Sequence, residues 1–311
     1  MVIENIPDAT RFDRSAKASF FAGWNELIHL LADFEISFPA DEDGVDSWKD
    51  EREEYFRSCQ AEFQNIISFA AQANELALKS RVCEVSPYLL ILGNEPKFRI
   101  TQEDLDFTDF RTIDAVDLPA VVNTVSNNRL PIEFHERYSK VRKLRNRIIH
   151  QGAAGTGFKP DELILLLTSQ YADLWPQKRF LHDWFQYISS TRFSFFHDGK
   201  WSSAGMEMLE MLDVFFSALT GSQIKSLTGY PKNKRRYVCL RCFRDEAIEN
   251  AGGYPSSFRT AYLLNQTTLH CHLCDDQFVV NRLDCPEEDC KGNVIGTTGQ
   301  DQGVCHTCVM P

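Results

Sequence analysis

The chain has 311 residues, of which 43% are hydrophobic and 12% are aromatic. This length and composition suffice for two domains, or for one large domain with an appendage, and they argue against a disordered chain. The formal net charge of −11 excludes a protein with a wholly basic surface. Any contact with nucleic acid would therefore use a local patch.

Apolar residues recur at helical spacing through most of residues 1–229. Steps of three and four residues, together with apolar stretches, predict helices over 15–35, 46–80, 118–127, 161–190 and 203–219. The alternation of strands and helices that is typical of a parallel sheet is missing from the pattern, so a mainly α fold, a helical bundle, is predicted for this domain. A polar, basic linker at 230–236 begins a second domain, which is predicted to span 230–311.

The N-terminal stretch has acidic residues and Pro7 where a signal peptide needs an apolar run. The longest apolar runs, such as Leu163 to Leu167, are much shorter than a membrane span. The sequence therefore predicts a cytoplasmic protein with no membrane partner.

The cysteines are concentrated near the C-terminal end, where eight of the ten lie between residues 239 and 308. Clustered, regularly paired cysteines in a reducing compartment indicate metal ligands rather than disulfides. Two close pairs can complete one tetrahedral zinc site, which leaves no open position for catalysis. The tail is therefore predicted to be a small irregular or β module that binds two structural Zn²⁺ ions through Cys239, Cys242, Cys271, Cys274, Cys285, Cys290, Cys305 and Cys308.

The sequence leaves the ligand pairing open. Neighbouring pairs can share one ion sequentially, or the first and third pairs can share one in a cross-brace. His270, His272 and His306 border the cysteines and could replace one of them, although eight cysteines already fill two four-ligand sites. Cys59 and Cys83 are predicted to be small buried residues.

The stretch from Glu136 to Gly152 is basic within an acidic chain. Pro131 suits the first turn of a helix and Gly152 suits its end, so a helix is predicted from about 131 to 150. Its cations fall within eight residues and are Lys140, Arg142, Lys143, Arg145 and Arg147. Such a run is commonly a solvated face, and a histidine near a helix C-terminus commonly complements the helix dipole.

The same helix carries the motif Arg145-Asn-Arg-Ile-Ile-His150. This motif resembles the signature of the HEPN superfamily, in which four to six residues separate an arginine from a histidine. A polar residue often follows the arginine in that family, and here it is Asn146. A long preceding helix and the closing glycine agree with the resemblance, which covers residues 15–220 and leaves out the cysteine-rich tail.

The resemblance implies a metal-independent endoribonuclease that acts as a homodimer, in which two motif helices form one composite cleft. It implies an RNA substrate, attack by a 2′-hydroxyl that leaves a cyclic phosphate, and a role as a toxin or antiviral-defence effector. An antitoxin or another defence protein would then be a partner. The predicted catalytic residues are His150 for proton exchange, Arg145 for the phosphate, and Asn146 to position His150 or the substrate.

Arg142, Lys143 and Arg147 are predicted to bind RNA. In a helical projection, Asn146 lies almost directly above His150, whereas Arg145 lies roughly 140° away around the axis.

Two other interpretations of the function stay open at this point. One is a non-catalytic HEPN module that binds RNA or a partner protein, and the other is a zinc-finger adaptor whose helices only dimerise.

Overall fold

A computed structural model describes residues 3–39, 48–91, 104–152, 157–246 and 259–310. Helices dominate these residues, and a small four-stranded sheet lies in the cysteine-rich region. The prediction of a mainly α fold with a small β module near the cysteines is confirmed. The chain forms two compact units, Met1–Leu174 and Trp175–Pro311.

In its described residues, the first unit contains α1 Ala9–Ser37, α2 Lys49–Ser58, α3 Gln60–Val85, α4 Leu118–Val125, α5 Ile132–Gln151 and α6 Pro160–Leu174. Two short parallel strands, β1 Ile3–Glu4 and β2 Leu105–Asp106, accompany them. The core lies where α1 packs along α3, with Phe20 and Trp24 of α1 and Phe63 of α3 fully buried. Tyr171 of α6 joins this core, and its ring centroid lies 5.5 Å from that of Phe20.

The single helix predicted over 46–80 is two helices, and residues 46–47 lie outside the described part of the chain. Cys59 separates α2 from α3, with a ψ angle of 18°. The rings of Tyr55 and Phe56 lie 5.5 and 5.9 Å from the ring of Phe34, which holds α2 beside the end of α1. The apolar periodicity continues through this break, so the pattern by itself does not reveal it.

The helical stretch predicted over 161–190 is also interrupted. α6 ends at Leu174, and α7 spans Phe180–Ser190. Pro176 lies between them, and it lacks an amide hydrogen and disfavours helical geometry at Trp175 before it. The break coincides with the boundary between the two units.

The described part of the second unit contains α7, α8 Ala204–Ala218, α9 Gly221–Thr228, α10 Leu240–Asp245, β3 Ala261–Leu263, β4 Thr268–Cys271, β5 Gln277–Asn281 and β6 Ile295–Gly296. The four strands form an antiparallel sheet in the order β3-β4-β5-β6. Phe180 and Trp184 of α7 pack on Phe215 of α8, at centroid distances of 5.7 and 6.1 Å.

The helix α9 is absent from the sequence prediction, although a local signal marks its start. Thr220 and Gln223 form a reciprocal capping box there, and Gly229 ends the helix with a φ angle of 81°. The predicted domain division at residue 229 falls inside the second unit. Compactness and function define domains by different criteria, so that division stays a prediction.

Among the described residues, no helix has both the length and the apolar character that crossing a membrane requires.

The helices predicted over 15–35, 118–127 and 203–219 correspond to α1, α4 and α8. Of these, α1 extends further in both directions, and Asp8 caps its N-terminus by accepting a hydrogen bond from the amide of Thr10.

Candidate functional site

The helix α5 carries the predicted motif, and its ends agree with the sequence. Pro131 precedes its first turn, and Gly152 ends it with a left-handed φ angle of 66°. The buried side chains of this fully described helix are Phe134, Tyr138 and Val141. They all belong to its N-terminal half, so the half that carries the motif projects from the core.

A groove of about 680 Å³ lies between α3 and α5. Arg142, Arg145 and Asn146 line it from α5, and Asn65 and Gln72 line it from α3. Arg145 Nη1 donates a hydrogen bond to Asn146 Oδ1 over 3.2 Å. The groove therefore presents two guanidinium groups together with neutral amide groups, which is a suitable set of donors for an anion.

The groove carries a local excess of positive charge. Glu75 is the one acid among the described residues that line it, and its carboxylate pairs with Lys79 at 2.7 Å. Tyr138 also lines the groove, and its hydroxyl donates to the carbonyl of Ala115. Burial and the charge of Glu75 raise the pKa of Tyr138, and the opposing effect of Arg142 is smaller. The phenol is therefore neutral at pH 7 and does not supply a base.

The other predicted residues of α5 lie outside this groove. Lys143 and Arg147 occupy a different face of the helix, where Lys140 joins them along a second depression of about 660 Å³. His150 is exposed on the last turn and lines neither depression. Six residues of α5 are predicted to bind or cleave RNA. Arg142, Arg145 and Asn146 line the groove, whereas Lys143, Arg147 and His150 do not.

The eight C-terminal cysteines form two groups of four, Cys239, Cys242, Cys271 and Cys274, and Cys285, Cys290, Cys305 and Cys308. Within each group the sulfur atoms all lie within 4.8 Å of one another. The pairing is therefore sequential, and the cross-brace alternative is wrong. We call the two groups the first and the second cysteine site.

The sulfur separations fit a tetrahedral metal site. In the first cysteine site, the Sγ atoms of Cys239 and Cys274 are 3.8 Å apart, as are those of Cys242 and Cys271. The corresponding separations in the second site are 3.6 and 3.9 Å. Zinc–sulfur bonds of about 2.3 Å place tetrahedral ligands about 3.8 Å apart, whereas a disulfide needs about 2.0 Å. Each site could hold a metal ion and is compatible with zinc.

The turns at Cys271–Cys274 and Cys305–Cys308 share one backbone conformation. In each, the amide two residues after the first cysteine donates to its sulfur, over 3.3 Å in one turn and 3.4 Å in the other. The residue after each turn, Asp275 or Val309, has a left-handed φ angle of 63° or 67°. Valine rarely adopts this conformation, so the turn rather than the residue's own preference sets it.

The first cysteine site is joined to helices of the same unit. His182 Nδ1 on α7 donates to the carbonyl of Leu273, inside a cysteine turn, over 2.8 Å. Glu246, which follows α10, accepts a hydrogen bond from the amide of Gly205 at the start of α8 over 2.9 Å. The sequence offers no signal for either contact, because the partners are distant along the chain and are chosen by packing.

The histidines beside the cysteines belong to neither group of sulfur atoms. His306 is buried, and its Nδ1 donates to the carbonyl of Val238 over 2.8 Å. His270 Nε2 pairs with Asp275 Oδ1 at 3.0 Å, and His272 is buried. These side chains contact the turns by packing and hydrogen bonding, and the cysteines alone could supply four ligand atoms in each site.

Comparison with known proteins finds no relative of this chain. The chain matches no protein-family model, no curated protein and no solved structure. The resemblance to the HEPN superfamily therefore rests on the motif of α5 and on the helices around it.

Proposed function

We propose that the chain is a metal-independent endoribonuclease of the HEPN type, with α5 as its catalytic helix. The observation that carries this proposal is the groove between α3 and α5, where Arg142, Arg145 and Asn146 lie together. A guanidinium group can form paired hydrogen bonds to phosphate oxygens, so two of them suit an RNA backbone. The neighbouring amide groups suit the hydroxyl groups of ribose and the edges of bases.

The reaction requires residues in three roles. The 2′-oxygen of ribose attacks the adjacent phosphorus, the bond to the 5′-oxygen breaks, and a 2′,3′-cyclic phosphate forms. A base takes the proton of the 2′-hydroxyl, and an acid gives one to the departing 5′-oxygen. An imidazole can act as a base or as an acid, and His150 would supply one of these two proton transfers. Arg145 keeps its proton and stabilises the negative charge that develops on the phosphate.

The position of His150 favours a composite site made by two copies of the chain. This residue lies outside the groove that Arg142 and Arg145 line. The C-terminal half of α5 offers a surface for a second copy, since Ile149 there is 52% exposed. Antiparallel pairing of two such helices would cover Ile149 and bring the histidine of one copy to the groove of the other.

The decisive experiment compares the wild type with His150→Ala. The wild-type protein should cleave RNA in buffer without added metal and leave cyclic phosphate ends, and the variant should be slower by about 100-fold or more. His135→Ala changes a histidine of the same helix and should retain cleavage. Wild-type rates in His150→Ala would refute the catalytic proposal.

The groove itself is tested by comparing the two faces of α5. Arg142→Ala and Arg145→Ala remove cations from the groove, whereas Lys143→Ala and Arg147→Ala remove cations from the other depression. All four variants lose one positive charge, so a difference between the pairs reports position. We expect the groove variants to lose more cleavage, and equal losses would contradict the groove as the place where the scissile phosphate binds.

A non-catalytic module that binds RNA or a partner protein is the second candidate. The absence of His150 from the groove favours it, because in one chain the histidine does not line the same depression as the arginines. It predicts RNA or protein binding without cleavage and no effect of His150→Ala.

The wider role in the first candidate is that of a cytoplasmic toxin or antiviral-defence effector, restrained by an antitoxin or another defence protein. Expression of an active ribonuclease should slow growth of the host cell. The same expression of His150→Ala should not, and equal inhibition by both would argue against this role.

We also propose that the two cysteine sites hold Zn²⁺ and that both ions are structural. Four thiolates fill a tetrahedral shell, so neither ion would have an open position for substrate. A short module with so few core aliphatic residues gains much of its folding free energy from metal binding. Elemental analysis of purified protein should give two zinc ions per chain.

A further inference from the structure

The turn between α7 and α8 exposes a group of aromatic side chains, and we call residues 192–201 the aromatic turn. Phe193, Phe195, Phe196 and Trp201 are 59, 86, 75 and 63% exposed. Large aromatic side chains bury much of their surface in most proteins, and a contiguous exposed group marks a site of interaction. Folding of the second unit alone therefore does not explain why these aromatic side chains are exposed.

Hydrogen bonds define the backbone of the aromatic turn. Asp198 Oδ1 accepts the amides of Lys200, Trp201 and Ser202 over 2.8, 2.7 and 3.0 Å. These bonds lower the pKa of Asp198, so its carboxylate is charged and already engaged at neutral pH. Gly199 supplies the left-handed φ angle of 68° that this tight turn requires. The rings are thus presented from a defined scaffold.

Cations lie against the exposed rings. The guanidinium carbon of Arg192 is 4.8 Å from the centroid of Phe193, and Lys200 Nζ is 5.4 Å from the centroid of Trp201. Both distances allow cation–π attraction. The turn therefore combines flat apolar surfaces with positive charge over two of its rings.

The composition of the turn distinguishes between classes of partner. From Thr191 to Ser203 the apolar side chains larger than alanine are all aromatic, and the stretch has no Val, Ile, Leu or Met. Segments that enter a membrane surface combine aromatic with aliphatic side chains. Rings accompanied by Arg and Lys match single-stranded nucleic acid, whose bases stack on the rings while its phosphates contact the cations.

We propose that the aromatic turn is a stacking platform for single-stranded RNA. Bases stack on the exposed faces of Phe195, Phe196 and Trp201, while Arg192 and Lys200 contact the phosphates. The rings of Phe195 and Phe196 are 5.5 Å apart at 89°, so they offer surfaces in two directions to successive bases. This activity goes beyond cleavage at α5 and does not depend on it.

Binding of a single-stranded oligouridine of about 12 nucleotides tests the proposal. The His150→Ala background prevents cleavage during the measurement of fluorescence anisotropy. Adding Phe195→Ala or Phe196→Ala should raise the Kd about ten-fold, the loss expected for one stacked base. Tyr88→Ala removes a ring that is 51% exposed in the first unit and serves as the matched control, with an unchanged Kd.

Conservative variants separate stacking from general apolar contact. Phe195→Tyr keeps a flat ring and should bind like the parent protein, whereas Phe195→Leu keeps apolar character and should bind as weakly as Phe195→Ala. Equal binding by the Leu and Tyr variants overturns the stacking platform. Thermal unfolding confirms that each variant is folded, as the exposure of this side chain leads us to expect.

Other partners give different results with the same variants. Vesicles of anionic phospholipid that shift the tryptophan emission to shorter wavelength in the parent protein but not in Trp201→Phe, without any effect of RNA, overturn the proposal. So does self-association in sedimentation that Phe195→Ala abolishes while RNA binding is unchanged. Weaker binding in Phe195→Ala but not in Arg142→Ala would support the platform even where the proposed ribonuclease fails.

Discussion

His306 and Val238 are joined by two hydrogen bonds. The amide of Val238 donates to the carbonyl of His306 over 2.9 Å, and Nδ1 of His306 donates to the carbonyl of Val238 over 2.8 Å. His306 lies between two cysteines of the second site, and Val238 directly precedes Cys239 of the first site. The two cysteine sites are therefore connected through a buried histidine that binds no metal itself.

The substitution His306→Ala should weaken both cysteine sites. It removes a buried hydrogen bond and leaves a cavity, which together should cost about 2–4 kcal/mol in the free energy of unfolding. Urea unfolding measures that loss, and the rate of zinc transfer to a chelator should rise for both ions. His270→Ala is the control, because that side chain bonds to Asp275 beside the first site alone. Faster release from the second site alone would contradict the connection.

Gly292→Ala should disrupt the second cysteine site selectively. A Cβ atom at this position would lie 2.6 Å from the sulfur of Cys305 and 2.8 Å from the Thr307 side chain, which is closer than van der Waals contact allows. We expect the zinc content to fall from two ions per chain towards one. Gly221→Ala is the control, since the nearest atom to its Cβ would be 4.0 Å away. Full zinc content in Gly292→Ala would show that the turn can shift.

Thiol counting under three conditions should distinguish two classes of cysteine. Zinc in the two proposed sites would protect the eight clustered cysteines, whereas burial protects Cys59 and Cys83. Burial raises the pKa of Cys83 to about 11 and also raises that of Cys59, so the folded state favours their protonated, unreactive form at pH 8. Iodoacetamide should modify almost no thiol in the native protein, eight after metal removal, and all ten in denaturant.

Modification of the two buried cysteines before the eight clustered cysteines would contradict this assignment. Modification of Cys83 before metal removal would show that its part of α3 opens more readily than the cysteine sites do. Mass spectrometry of digested protein identifies each modified cysteine, so the two classes are separated by position as well as by number.

Arg137→Ala should destabilise the first unit. Arg137 of α5 forms an ion pair with Asp173 of α6, and the two side chains are only 30 and 18% exposed. Removing one partner leaves a largely buried charge, which should cost about 2–4 kcal/mol in the free energy of unfolding. Arg111→Ala breaks a pair with Asp114 whose side chains are 68 and 59% exposed, and it should cost less than about 1 kcal/mol. Equal losses in chemical denaturation would contradict this ranking.

Local patterns in the sequence determined several features correctly. The spacing of the cysteines predicts two four-ligand groups, because a cysteine turn brings its two sulfur atoms together within a few residues. Pro131 and Gly152 predict the ends of α5, because proline and glycine limit the backbone angles at their own positions. Pro176 carries an equally local signal for the break after α6, but the helical stretch predicted over 161–190 did not include that break.

Tertiary packing decided the remaining features. The choice between sequential and cross-braced pairing, the face of α5 that meets α3, and the contact of His182 with Leu273 all join residues distant along the chain. The exposure of Phe195 likewise depends on what the rest of its unit leaves uncovered. A sequence pattern records preferences over a few neighbouring residues, so it determined the clustering of the cysteines and the motif helix. It could not determine that His150 would lie outside the groove that Arg145 lines, because the position of the groove depends on how α5 packs against α3.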